Sequence, residues 1–249
     1  MHYLIKAEIL KISKQKENKI LFCILFGYFF LMCVFCITNK SYFSINFMIE
    51  NEFSTLQWAP IVLMIFSVSR MSVEYQNSTL KSYIFREKKK YQIILSKYFI
   101  LTITTCFIYL CLLIFDLLLA RIAFNISLYN KIIKYTVLWS IGSFAETLLL
   151  VTFVFFLTIL FKQAILSIAV GILFYLMVGL VGGSMFEMIR KYSFLRWNII
   201  NLLNFKGQLI DPKMINQTHL SNLDFVGAIV AYIIIFVISG IYIFDRKEN

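Results

Sequence analysis

Six stretches of this 249-residue chain are apolar for about the length needed to cross a bilayer. The hydrocarbon layer is about 30 Å thick and a helix rises about 1.5 Å per residue, so about 20 apolar residues make one crossing. The stretches are Ile20–Thr38, Thr55–Val73, Tyr98–Ala120, Tyr135–Phe161, Ala164–Met188 and Phe225–Phe244. Pro60 and several polar residues interrupt the second. In lipid every backbone N–H and C=O must be bonded within the protein, so each stretch is read as a helix. A composition 60% apolar and 17% aromatic could not be hidden inside a soluble domain of this size. The expected fold is therefore all-α and integral to a membrane, one transmembrane domain over residues 1–249 with six transmembrane helices.

The connections set the orientation. Fifteen of the 24 Lys and Arg lie in segments on the N-terminal side of the spans and nine on the other. The positive-inside rule then places both termini in the cytoplasm. Residues 1–19 carry Lys6, Lys11, Lys14, Lys16 and Lys19, with Ile5, Ile9 and Ile12 on one helical face and Leu4 beside it. A basic amphipathic segment of this kind lies in the membrane interface. Spans four and five are joined by Lys162-Gln163 alone, so they are antiparallel neighbours. The outer connection, residues 189–224, is the longest. Its apolar residues, Trp197 and basic residues predict an interfacial or re-entrant helix ending near Gly207, and Asp211-Pro212 reads as a turn. The net charge of +11 is spread between spans, which suits anionic lipid head groups and not nucleic acid.

One connection is patterned. In the hinge of residues 74–90, Asn77, Ser78 and Thr79 supply N-cap chemistry. Leu80, Tyr83 and Ile84 then form an apolar stripe at helical spacing, with Lys81 between them. Lys88, Lys89 and Lys90 follow as a head-group anchor. Arg70 and Glu74, where span two leaves the membrane, are either solvated interfacial charges or a salt bridge fixing the hinge.

Within the spans, Glu146 is the sharpest residue. It falls near the midplane of span four beside Ser143 and Thr147. An ionisable group there faces the bundle or a wet cavity. It is either a translocation-path or subunit-interface carboxylate, or a protonated carboxyl bonded to hydroxyls of a neighbouring helix. Asp116 is expected to form an ion pair with Arg121 at the outer rim. Gly179 and Gly183 make a small-residue patch for helix packing, within the chain or between two chains. Cys23, Cys33, Cys36, Cys106 and Cys111 all sit in apolar runs and read as packing residues. His2 and His219 lie outside the spans, and no metal-ligand cluster, phosphate-binding glycine loop or nucleophile elbow occurs in the sequence. The expectation is a chain that is not an enzyme, without catalytic residues, metal or cofactor of its own.

Glu74, the run Asn77-Ser78-Thr79-Leu80-Lys81 and the run Ile94-Leu95-Ser96-Lys97 resemble the ABC-2 type transporter permease family. Ser78 stands where that family usually has Gly. The resemblance implies a permease whose hinge helix, about Ser78–Phe85, is a coupling helix held by a cytoplasmic ABC ATPase subunit. Glu74, Ser78, Thr79, Leu80, Lys81, Tyr83 and Ile84 would be the coupling residues. ATP and Mg would be bound by that partner. A second permease chain, identical or related, would complete the pore. The size and the lack of a large soluble insert are similar to permeases of lantibiotic and bacteriocin immunity and of phenol-soluble-modulin export. That implies a bacterial cell membrane location and amphipathic peptides as substrate. The alternatives are a permease for a drug, lipid or ion, and a non-transporting sensor or scaffold.

Overall fold

The computed structural model describes residues 2–39, 48–49, 51–76, 91–122 and 131–247. Among these, every long element is helical, and six helices are long and apolar enough to cross a membrane. An amphipathic helix α1 (His2–Lys14) comes first, then α2 (Lys16–Thr38), α3 (Thr55–Gln76), α4 (Tyr91–Ile122), α5 (Lys131–Phe161) and α6 (Ala164–Lys191). Short helices α7 (Ile199–Leu202), α8 (Phe205–Ile210) and α9 (Ile215–Thr218) follow, and α10 (Asn222–Lys247) closes the chain. The helices extend each sequence-defined span, chiefly at its polar ends, because helical hydrogen bonding does not stop where hydropathy does.

The bundle is built around α5. It packs against α3, α4, α6, α8 and α10, and most of its length is buried. Helices α2, α6 and α10 are instead covered by this chain along narrow stripes. In α2 the buried stripe is Leu25, Phe29, Cys33 and Cys36, at helical spacing. Apolar residues all round such a helix are the mark of one that meets lipid. Two apolar clusters fill the bundle. One joins Phe29, Phe53, Phe66 and Phe155, and the other joins Leu149, Val154, Phe205, Phe225 and Phe236.

The turn between α5 and α6 is as tight as its two residues require. Lys162 takes a left-handed conformation (φ 56°) and donates its N–H to the Thr158 carbonyl at 2.9 Å, ending α5. Helix α1 ends at Lys14, and Gln15 is extended (φ −72°, ψ 119°) before α2 begins. Because the chain crosses at each span, α1, the start of α4, the α5–α6 turn and the end of α10 share one end of the bundle.

The connection at the opposite end is not one helix. It is a string of short turns that dips between the spans, and its α8 runs on to Ile210, past Gly207. Buried amides hold it together. Asn201 Nδ2 donates to the carbonyls of Arg196 and Thr218 at 2.7 and 3.1 Å, and Gln208 Nε2 donates to the Leu220 carbonyl at 2.9 Å. The Thr218 hydroxyl donates to Gln208 Oε1 at 2.5 Å. Asp211 caps the turn at Pro212–Met214 through the Lys213 N–H.

Candidate functional site

At the α1 end, three helices meet in a cluster of charges. Glu8 and Lys11 come from α1, Arg70 and Glu74 from the last turns of α3, and Lys97 from the second turn of α4. The Lys97 ammonium donates to Glu74 Oε1 (2.8 Å), Glu8 Oε1 (3.1 Å) and the Arg70 carbonyl (2.9 Å). All three of its donors are used, and the residue is 1% exposed. Lys11 reaches the same two carboxylates, at 2.9 Å for Glu8 and 2.5 Å for Glu74. Arg70 donates to Gln15 Oε1 at 2.8 Å, lies 3.9 Å from Glu8 Oε2, and stacks over the Phe66 ring at 4.6 Å. Burial alone would raise the Glu8 carboxyl; Lys97 and Lys11 more than reverse this and hold it below its ordinary value. Burial works against the Lys11 ammonium too, and Glu74 and Glu8 overcome it, raising its pKa.

Arg70 and Glu74 are thus not solvated interfacial charges: both are buried, Glu74 paired with Lys11 and Lys97, and Arg70 held by Gln15 beside Glu8. The cluster also reorients α1. The face turned to the bundle is Leu4, Glu8 and Lys11, while Ile9 and Leu10 are left uncovered by this chain. Sequence reasoning found the apolar stripe of α1 and Glu74, but not the partners Glu8 and Lys97. A carboxylate at i beside Lys at i+3, among residues otherwise basic and apolar, was the available signal. The ends of the hinge are thus clamped. The hinge residues Ser78, Thr79, Leu80, Lys81, Tyr83 and Ile84 lie outside the described residues.

Glu146 sits midway along α5, about 23 Å from either end at 1.5 Å per residue. Its Oε1 accepts the backbone N–H of Lys206 at 2.7 Å, and its Oε2 is 3.8 Å from the Lys206 ammonium. Its partner is therefore the re-entrant segment, not a hydroxyl of a neighbouring span. Gly142, one turn away, makes the approach possible. A Cβ built there would lie 2.5 Å from Lys206 Cα. Ser143 and Thr147 do not converge with Glu146. Thr147 shares a 2.6 Å hydrogen bond with Tyr109 of α4, and Ser143 Oγ is buried without a partner among the described residues.

Asp116 and Arg121 do not pair. Asp116 is fully buried, neither carboxyl oxygen has a hydrogen-bond partner among the described residues, and Arg121 is exposed. Five residues along a helix is about 140° around it, so the two side chains leave on different faces. The neighbour of Asp116 is Glu52, within electrostatic reach. Glu52, Phe53 and Ser54 are all left-handed (φ 46°, 52° and 63°), a conformation costing roughly 1–2 kcal/mol per residue. That turn drives Glu52 and Phe53 into the core, both fully buried. Burial pushes the Glu52 carboxyl up to about 8, Ser140 partly opposing it.

Among the described residues, a Cβ added at Gly179 or Gly183 meets no atom within 4 Å. The glycine of α6 that does serve packing is Gly171, beneath Val154 and Met64.

The model of the ABC-2 family transporter proteins matches residues 4–179, well over half of the chain and including the whole α1–α3–α4 charge cluster. The chain belongs to the ABC-2 transporter family. It is a multi-pass membrane protein and the transport component of an ABC system, and membership implies partnership with an ABC ATPase subunit. Neither the curated proteins nor the solved structures compared gave a match.

Proposed function

We propose that this ABC-2 protein is the permease of an exporter that removes amphipathic antimicrobial or cytolytic peptides from a bacterial cell membrane. ATP and Mg are bound and used by the separate ATPase subunit, and the permease chain holds neither. The observation that carries the reading is the charge cluster. It ties Glu74 and Lys97, which bracket the hinge, to the amphipathic helix α1. A displacement of the hinge by the ATPase is then passed to α1, α3 and α4 together. In this reading the α1 end is cytoplasmic, in keeping with the bias of Lys and Arg toward it. A second permease chain, identical or related, completes the pore. Amphipathic peptides suit a bundle whose α2, α6 and α10 stand open to the membrane, because such a substrate enters sideways from a leaflet.

The test is co-purification from detergent-solubilised membranes, followed by reconstitution and transport of a fluorescent amphipathic helical peptide. The expected result is a stoichiometric ATPase that is lost with Leu80→Asp, and ATP-dependent peptide clearance that is lost with it. A permease that binds no ATPase under gentle extraction would replace this reading with a sensor or scaffold. ATPase binding without peptide clearance would keep the permease and discard the peptide.

A further inference from the structure

A cavity of about 350 Å³ lies between α5, α6 and the re-entrant segment, lined on its polar side by Glu146, Tyr175, Asn204 and Lys206. Apart from Lys206, its polar groups have their donors already spent. The Asn204 amide nitrogen donates to the carbonyls of Ile200 and Asn201 at 3.2 and 3.4 Å, leaving its oxygen. Tyr175 donates its hydroxyl proton to the Gln57 carbonyl at 3.1 Å, leaving the oxygen lone pairs. Glu146 Oε1 is taken by the Lys206 N–H, whereas among the described residues Oε2 has only the Lys206 ammonium, at 3.8 Å. A charge-assisted hydrogen bond is about 2.7–2.9 Å long, so that last contact is slack. A ring of acceptors around a loosely held carboxylate oxygen is the complement of an ammonium group, which has three donors and no acceptor.

We propose that this cavity receives a primary ammonium carried on an apolar chain, which takes the place of Lys206 beside Glu146. Charge balance selects a cation over an anion. Exchanging one ammonium for another keeps the buried carboxylate paired. An anion drawn to Lys206 would leave Glu146 without a counter-charge in the middle of the membrane. Lys206 is the partner free to leave. Its side chain is 26% exposed against 7% for Glu146, and the Trp139 ring, 5.7 Å away, offers its ammonium a second seat. The mouth is also suitable. Leu176 and Gly179 line it from the face of α6 that this chain leaves uncovered. An amphiphile in the membrane can insert its head there while its tail stays among apolar side chains. Two sources carry this chemistry: a lysine of an amphipathic peptide and the ethanolamine head of a phospholipid. The consequence for transport rests on the export reading above. Displacing Lys206 removes one of the two contacts between Glu146 and the re-entrant segment, so loading loosens that segment. The ammonium recognition itself does not depend on the cargo.

The experiment is thermal unfolding of the full chain in a non-ionic detergent at neutral pH, followed by tryptophan fluorescence, with dodecylammonium and dodecanol as probes. Dodecylammonium is expected to raise the midpoint and dodecanol to leave it. Glu146→Gln is expected to weaken the amine by about tenfold or more. Lys206→Met, destabilised by its unpaired carboxylate, is expected to be rescued by the amine and not by the alcohol. Should that variant fail to fold, Gly179→Phe narrows the mouth without altering a charge and is expected to weaken the amine similarly. Equal shifts from amine and alcohol, or an amine effect that survives Glu146→Gln, would overturn the proposal. In nanodiscs, a lysine-bearing amphipathic peptide and its fully acetylated form compete against the bound amine, with and without phosphatidylethanolamine. Competition by the lysine peptide alone supports both the site and the peptide reading. Competition by the lipid alone supports the site and removes the peptide as its occupant.

Discussion

Lys97 has three donors and three acceptors around it, and little water reaches any of them. Removing one partner of such a group leaves charges that burial cannot tolerate. Lys97→Met is therefore expected to cost about 3–5 kcal/mol, measured as a fall in the unfolding midpoint of the purified chain. In a double-mutant cycle with Glu8→Gln, a coupling of about 0.5–3 kcal/mol separates this pair from general damage; additive effects would break the link between α1 and α4. The pH responses of the buried acids have opposite signs. Glu8 is held below its ordinary 4.5, so its contribution is present above that value and is lost as pH falls through the lowered one. Lys11 is raised above 10.5, so its contribution is present below that value and is lost at still higher pH. Glu52 is raised from 4.5 to about 8, so the fold prefers its protonated form. Between those two values stability is expected to fall as pH rises, and Glu52→Gln should flatten the slope in melting curves taken across that window. An unchanged slope would mean that Glu52 is not the titrating group.

At the scale of elements, close approach decides what each helix can do. Gly142 is covered by the backbone of Lys206, whereas Gly179 faces open space. Gly142→Leu is expected to push the re-entrant segment off α5, at about 1–3 kcal/mol for overpacking, and to expose residues 199–218 to protease. Gly179→Leu in the isolated chain is expected to leave the midpoint unmoved within about 0.5 kcal/mol. Equal effects from the two substitutions would contradict the packing described. The amphipathic helix α1 also acts as an element. Its Glu8 face binds the bundle and its Ile9 face is left for lipid, so it reports on both. Deleting residues 2–14 removes Glu8 and Lys11 together. The expected outcome is an inserted chain in which the hinge no longer transmits, read as retained membrane content with lost ATPase stimulation.

Taken whole, the molecule is an axis, α5, with helices on every side and a charged device at each of two depths. One lies at the α1 end around Lys97 and the other midway along at Glu146. Much of this was legible in the chain itself. The six spans follow from apolar length, and the adjacency of α5 and α6 from a two-residue turn. A dipping connection after Lys191 follows from its apolar and aromatic content, and the family from residues around Glu74 and Lys97. These are local properties, set by hydrogen bonding and burial within a stretch of about 20 residues. The pairings were not legible, because a charge carries no record of which distant charge will neutralise it. Asp116 had Arg121 five residues away and lies instead within electrostatic reach of Glu52, which a left-handed turn that no residue type announces brings into the core. Glu146 had Ser143 and Thr147 beside it and took Lys206, 60 residues on, because Gly142 lets that backbone come close. The amino-acid sequence determined which segments leave water and how long each one is. Only the tertiary structure decided which buried charges share a partner, since that depends on how helices far apart in the chain rotate against one another.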